Sequence, residues 1–181
     1  MGSLLRGLTG LTRLSFFYDW EERERSGFEG KEVSDAHARF FAAIISDLTY
    51  LESLSLGGSN YLRFTEADTR CLMADALRGL TKLYTLDLHG VTLDTKAARS
   101  LCGAITALPR QRHLKMGQNG LDADGTTVVA EAIRGLSTLE YLTIHSRDSE
   151  HGSAILLAKS ARRGVPSCKV QILPENQFWC Q

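Results

Sequence analysis

Apolar residues recur along this chain in a fixed phrase. It is clearest from Leu80 to Leu88, LTKLYTLDL, where Leu80, Leu83, Leu86 and Leu88 are separated by mostly polar residues. The phrase also stands at Leu8, Leu11, Leu14 and Phe16, at Leu48, Leu51, Leu54 and Leu56, and at Leu136, Leu139, Leu142 and Ile144. A damaged copy reads Leu108, Gln111, Leu114, Met116, and a final one keeps only its end, Val170 and Ile172. From Leu86 through Leu114 and Leu142 to Val170 the step is 28 residues each time. Self-similarity at one period outranks local propensity and marks a repeat architecture. Within the last residues of each phrase apolar and polar positions alternate, as in a strand with one covered face.

A second pattern follows each phrase. Stacking the repeats aligns Phe41, Met73, Leu101, Val129 and Leu157, and four residues on Ile45, Leu77, Ile105, Ile133 and Ala161. Spacing of i and i+4 puts both columns on one helical face. A third column, Ala42, Ala74, Cys102, Ala130 and Ala158, is small enough to let a helix lie close to the strands. Ser34, Thr65, Asp94 and Asp122 are the candidate N-caps, with Thr65 and Asp68 as an approximate capping box. The helices are expected to end near Gly79, within Gly103 to Ala107, and near Gly135. Strands of a parallel sheet lie about 4.8 Å apart, whereas packed helices need roughly 8–10 Å between axes. The helix side must therefore be longer, and the array must bend. The expectation is a right-handed α/β solenoid with a parallel inner sheet and outer helices, one domain over residues 1–181 of about five repeats and a terminal half-repeat.

These residues resemble the leucine-rich repeat family, in its long ribonuclease-inhibitor-like subtype, over residues 5 to 173. The motif L-x-x-L-x-L-x-x-N/C-x-L ends correctly at Leu114, Met116, Asn119 and Leu121, while Gln111 replaces a leucine. Val91, Ser59 and Arg147 stand where the motif has Asn or Cys. The resemblance implies that the Asn bonds backbone groups inside the turn, so the other three turns must be satisfied differently.

Two repeats exceed the period: Leu14 to Leu54 spans 40 residues and Leu54 to Leu86 spans 32. The extra residues are expected in loops within 18–31 and 57–64, and insertions in such arrays often map to a binding face. Residues 4 to 7 read as a helix end, matching Leu77-Arg78-Gly79, so the array is expected to begin in mid-repeat as a piece of a longer protein. An uncapped N-terminal edge would then offer a route to self-association. Residues 174–181, with Phe178 and Trp179, are expected to close the other end.

Composition narrows the partners. With 21 basic and 21 acidic residues the net charge is zero, so no overall field would gather nucleic acid or an anionic membrane, and neither is expected as a partner. Four dispersed cysteines, none in a C-x-x-C pair, favour a reducing compartment, and the expected location is cytoplasmic. Cys71 and Cys102 read as small core residues.

Alternation along the strands turns Arg13 and Phe17, then Asp87 and His89, His113 and Lys115, and Tyr141 and His145 toward the concave face. With Trp20 in the first loop, these are the candidate binding residues. Asp87 and Lys115 lie at equivalent positions on adjacent strands and are expected to form an exposed pair. His89 and His145 are two strands, roughly 10 Å, apart, too far to share a metal. His89 and His113 sit on neighbouring strands and approach diagonally beside Asp87, yet no metal or cofactor is expected. Phosphate-loop, zinc-hydrolase and nucleophile-elbow motifs are absent, so no catalytic residue is proposed. The resemblance implies a non-catalytic module that recognises a protein or other ligand, the sensing or autoinhibitory array of a larger intracellular innate immune receptor of the NACHT type. A freestanding inhibitor and a GTPase-regulating repeat protein are the alternatives.

Overall fold

The structure, a computed structural model, describes residues 10–16, 35–57, 66–117, 119–146 and 151–174. Phe17, Trp20, Ser34, Ser59, Thr65, Arg147, the insertion loops and the segment after Pro174 lie outside the described residues. Strands and helices alternate: β1 (Arg13–Ser15), α1 (Asp35–Ser46), β2 (Ser53–Ser55), α2 (Ala67–Gly79), β3 (Thr85–Asp87), α3 (Thr95–Ile105), β4 (His113–Gly117), α4 (Ala123–Gly135), β5 (Tyr141–Ser146), α5 (His151–Gly164) and β6 (Lys169–Pro174). All six strands form one parallel sheet in chain order. The register pairs Leu14, Leu54, Leu86, Leu114, Leu142 and Val170 in one continuous row, the row that the sequence period specifies.

The core lies between this row and the helices. Leu54, Leu86 and Leu142 are fully buried, as are Ile45, Met73 and Leu77 on the helix side. Each such side chain contributes about 1.5–3 kcal/mol by leaving water. The small column also holds: Ala42, Ala74, Cys102, Ala130 and Ala158 are all buried. Burial pushes the Cys102 thiol up to about 12, which leaves it protonated and inert. Cys71 is exposed, contrary to its reading as a core residue, because it falls two positions before Met73 on the solvent side of α2. Val165 and Cys168 are buried one residue past Gly164 and Ser167, where the 28-residue step from Leu136 and Leu139 falls, so an offset apolar pair stands in for the missing leucines.

Helix starts follow the N-cap readings in α3 and α4. Asp94 Oδ1 accepts from the Ala97 N–H at 2.6 Å, and Asp122 Oδ1 from Gly125 N–H at 2.6 Å. Asp122 also accepts from Thr95 Oγ1 at 2.8 Å, which ties one helix start to the next. The cap of α2 is Glu66, not Thr65, and its side chain makes no capping bond. Glu66 instead pairs with Arg39 on α1.

Asn119 explains how one neighbouring turn works without its own Asn. It is buried, its amide donating to Leu88 O at 2.6 Å and Val91 O at 2.8 Å, while its Oδ1 accepts from Gly117 N–H at 2.7 Å. One side chain thus serves its own turn and the preceding one, where the apolar Val91 stands. Gln111, in a leucine position, is fully buried and donates through Nε2 to His113 O at 2.6 Å. Its Oε1 has no partner among the described residues.

Candidate functional site: the concave sheet face

Three columns of side chains face inward. At the strand starts stand Arg13, Ser53, Thr85, His113, Tyr141 and Lys169; next come Ser15, Ser55, Asp87, Lys115, Thr143 and Gln171. Beyond them lie Gly57, His89, Gly117 and His145, of which Gly117 and His145 are directly paired. Arg13 is exposed on β1. These columns hold two clusters of different character.

The first is a row of rings along the strand starts. His113 lies between Tyr84 and Tyr141, with centroids at 4.6 and 4.7 Å and rings tilted by 55° and 74°. Lys169 continues the row, its Nζ 5.2 Å from the Tyr141 ring centre and 3.4 Å from the hydroxyl. The spacing is that of the strands themselves, so each repeat contributes one group. Tyr84 and Tyr141 remain about two-fifths exposed. Arg112 and Glu140 form an ion pair at the same rim. Burial moves the His113 pKa down, Glu140 opposes this and Arg112 and Lys115 add to it; the net direction is down, which keeps the ring neutral.

The second cluster is buried. Asp87, His89 and His145 are each no more than 8% exposed although all three belong to the concave side. Asp87 Oδ1 lies 2.6 Å from His89 Nδ1 and accepts the His89 backbone N–H at 3.1 Å, while Ser55 Oγ donates to Oδ2 at 3.3 Å. Burial raises the carboxyl, but the bonds and charge of His89, with Lys115, outweigh it and hold the Asp87 pKa below its ordinary value. Lys115 Nζ is 4.0 Å away and half-exposed. The expected exposed Asp87–Lys115 pair is therefore corrected: Asp87 is covered and its main partner is the histidine two residues on, which strand alternation places on the same face.

The distance argument for His89 and His145 is also overturned. Their rings lie 4.8 Å apart. The strand between them carries Gly117, which presents no side chain between the two imidazoles and sits close against the His145 backbone. A Cβ there would lie 1.8 Å from His145 O, and φ is +119°, which L side chains rarely adopt. Gly57 instead makes room for a ring: a Cβ there would fall 2.2 Å from His89 Nδ1. The alternation of glycine and histidine in this column was the signal that strand spacing alone could not use. His113, by contrast, stacks with the two tyrosines and does not join His89. Burial, then the charge of His89, push the His145 pKa down to about 4, with Asp87 opposing and Lys115 assisting. Among the described residues no group of three or more His, Cys, Asp or Glu could hold a metal ion. The cavity bordering this cluster, lined by Gly117, Asn119, Ile144, His145 and Leu157, has a volume of about 20 Å³, room for a water and not for an organic ligand.

This arrangement of parallel strands and helices is shared with solved structures. The actin-binding site 2 of leiomodin-1 superposes with a TM-score of 0.53 at 14% identity, over 79% of this chain and 86% of that one. The leucine-rich repeat-containing protein LegL7 from Legionella pneumophila gives 0.51 at 15% identity, over 79% of this chain and 43% of its own. The fold is that of a leucine-rich repeat arc. No family model and no curated protein sequence matches the chain. Among the described residues of the arc, no helix is long and apolar enough to cross a membrane.

Proposed function

We propose that this leucine-rich repeat arc is a non-catalytic module that recognises a protein through its concave face. The observation that carries the reading is the row Tyr84–His113–Tyr141–Lys169, where partly exposed aromatics and a cation line up across successive strands. Aromatic side chains at a rigid surface concentrate binding energy when a partner covers them. The structural likeness to the actin-binding site 2 of leiomodin-1 supports the same class of activity. Phe17 and Trp20, outside the described residues, are taken to extend the proposed surface, with Arg13 and Lys115 completing it; Asp87, His89 and His145 are buried and are not part of it.

The finer reading is the sensing or autoinhibitory array of a larger intracellular innate immune receptor. Its support is the repeat subtype that the sequence resembles, with long helix-bearing repeats and a buried Asn in the turn. In such a protein the surface would hold either a ligand or another domain of the same chain.

The test is capture with paired variants. Tyr141→Ala and Trp20→Ala are expected to reduce recovery of a captured protein at least about tenfold, the scale of a hot-spot truncation, with Tm changed by less than about 2 °C. Capture that survives both variants would remove the concave face from the function.

A further inference from the structure

Resting on that reading, we infer that the concave face takes an acidic, extended protein segment running across the strands from β3 to β6. Among the described residues of the three inward columns, Arg13, Lys115 and Lys169 are exposed cations and Asp87 is the one carboxylate. Asp87 is 7% exposed and its oxygens are engaged by His89 and Ser55, so a partner meets the cations and not the acid. The rim just outside carries Lys82, Arg110 and Arg112 against Glu52 and Glu140, so it does not offset the inner cations. A chain of zero net charge thus concentrates a positive face on its inner wall.

Geometry sets the length and spacing of the occupant. Three strand intervals separate β3 from β6, about 14 Å, which four or five extended residues span. Lys115 and Lys169 lie two strands and two positions apart, about 12 Å, so the carboxylates that meet them fall three or four residues apart. Between them the edge of Tyr141 and the His113 row supply a surface for one aromatic or aliphatic side chain. Nucleic acid fits less well. The rings of the row turn toward one another, leaving no open face on which bases stack, and the cations are too sparse to follow a phosphate backbone.

Selection of a random peptide display library on the full chain tests this, followed by anisotropy with labelled synthetic peptides and a 12-nucleotide single strand. Enriched peptides are expected to carry Asp or Glu three or four residues apart. The double variant K115E/K169E should weaken them about tenfold or more, with unchanged melting, and lysine in place of the peptide acids should restore binding to that variant. K115Q/K169Q serves if the double reversal unfolds the chain, with a smaller loss expected. Enrichment of neutral or basic peptides, no enrichment, indifference to the lysine variants, or tighter binding of the oligonucleotide would each overturn the inference. Neutral peptides that Tyr141→Ala releases would leave the recognition reading standing and remove only the acidic preference; binders indifferent to both sets of variants would remove the two together.

Discussion

At the scale of single residues, the concave face owes its character to two glycines as much as to its charged groups. Gly57 leaves the space into which the His89 ring settles, and Gly117 lets the β5 backbone at His145 come close; His89 and His145 are both buried. A buried neutral histidine couples folding to pH. The unfolded chain takes up a proton at His145 near 6.5, whereas the folded chain resists until about 4. Between those values the unfolded state binds more protons, so stability falls as pH drops through this window and is unaffected above it. His113 adds a smaller effect of the same sign. Asp87 acts lower down: its depressed pKa contributes stability present above 3.8 and lost only as pH falls through the folded value. Thermal melts from pH 7.5 to 4.5 should therefore show Tm declining below about 6.5, and His145→Gln should flatten the decline. An unchanged slope in that variant would mean that other groups carry the linkage.

At the scale of elements, the turn after each strand is where one repeat commits to the next. Asn119 reaches across this joint to Leu88 O and Val91 O while holding Gly117 N–H, three buried backbone groups with one side chain. Asn119→Ala leaves Val91 O and the Gly117 N–H without this partner, while Leu88 O keeps a longer bond from the Val91 N–H at 3.4 Å. The change should cost on the order of 3 kcal/mol, measured by urea unfolding with m unchanged. Asn119→Asp, which keeps an acceptor but loses both donors, should not rescue it. Much of this architecture was readable beforehand. The leucine row and the two helix columns follow from periods of two and about 3.6, and Asp94 and Asp122 from the chemistry of caps. What escaped the sequence depends on side-chain lean. Alternation says that Asp87, His89 and His145 share a face, but exposure on that face depends on whether neighbours are small, and ring contacts depend on torsions that no period encodes. Cys71 could have been placed from the columns themselves, since it stands two residues, about 200°, before Met73 and so off the core face.

At the scale of the whole molecule, each strand bonds only to its neighbours in chain order, and each helix packs chiefly on the next. Stability in such an array is approximately a sum over repeats and adjoining interfaces. Leu86, Leu114 and Leu142 occupy successive rungs of one buried row, which allows the idea to be measured. Each Leu→Ala change should cost about 3–5 kcal/mol. The pair Leu86→Ala with Leu142→Ala, two rungs apart, should add within about 0.5 kcal/mol, whereas Leu86→Ala with Leu114→Ala should depart from additivity by more. If the distant pair proved as strongly coupled as the adjacent one, the core would act as a single unit and the repeat description would lose its energetic meaning. Local coupling also bears on recognition. When rungs are nearly independent, an inward residue such as Lys115 or Tyr141 can be exchanged without disturbing the leucine beneath the next strand. The face can then acquire a charge pattern that the remainder of the chain, neutral as a whole, does not share.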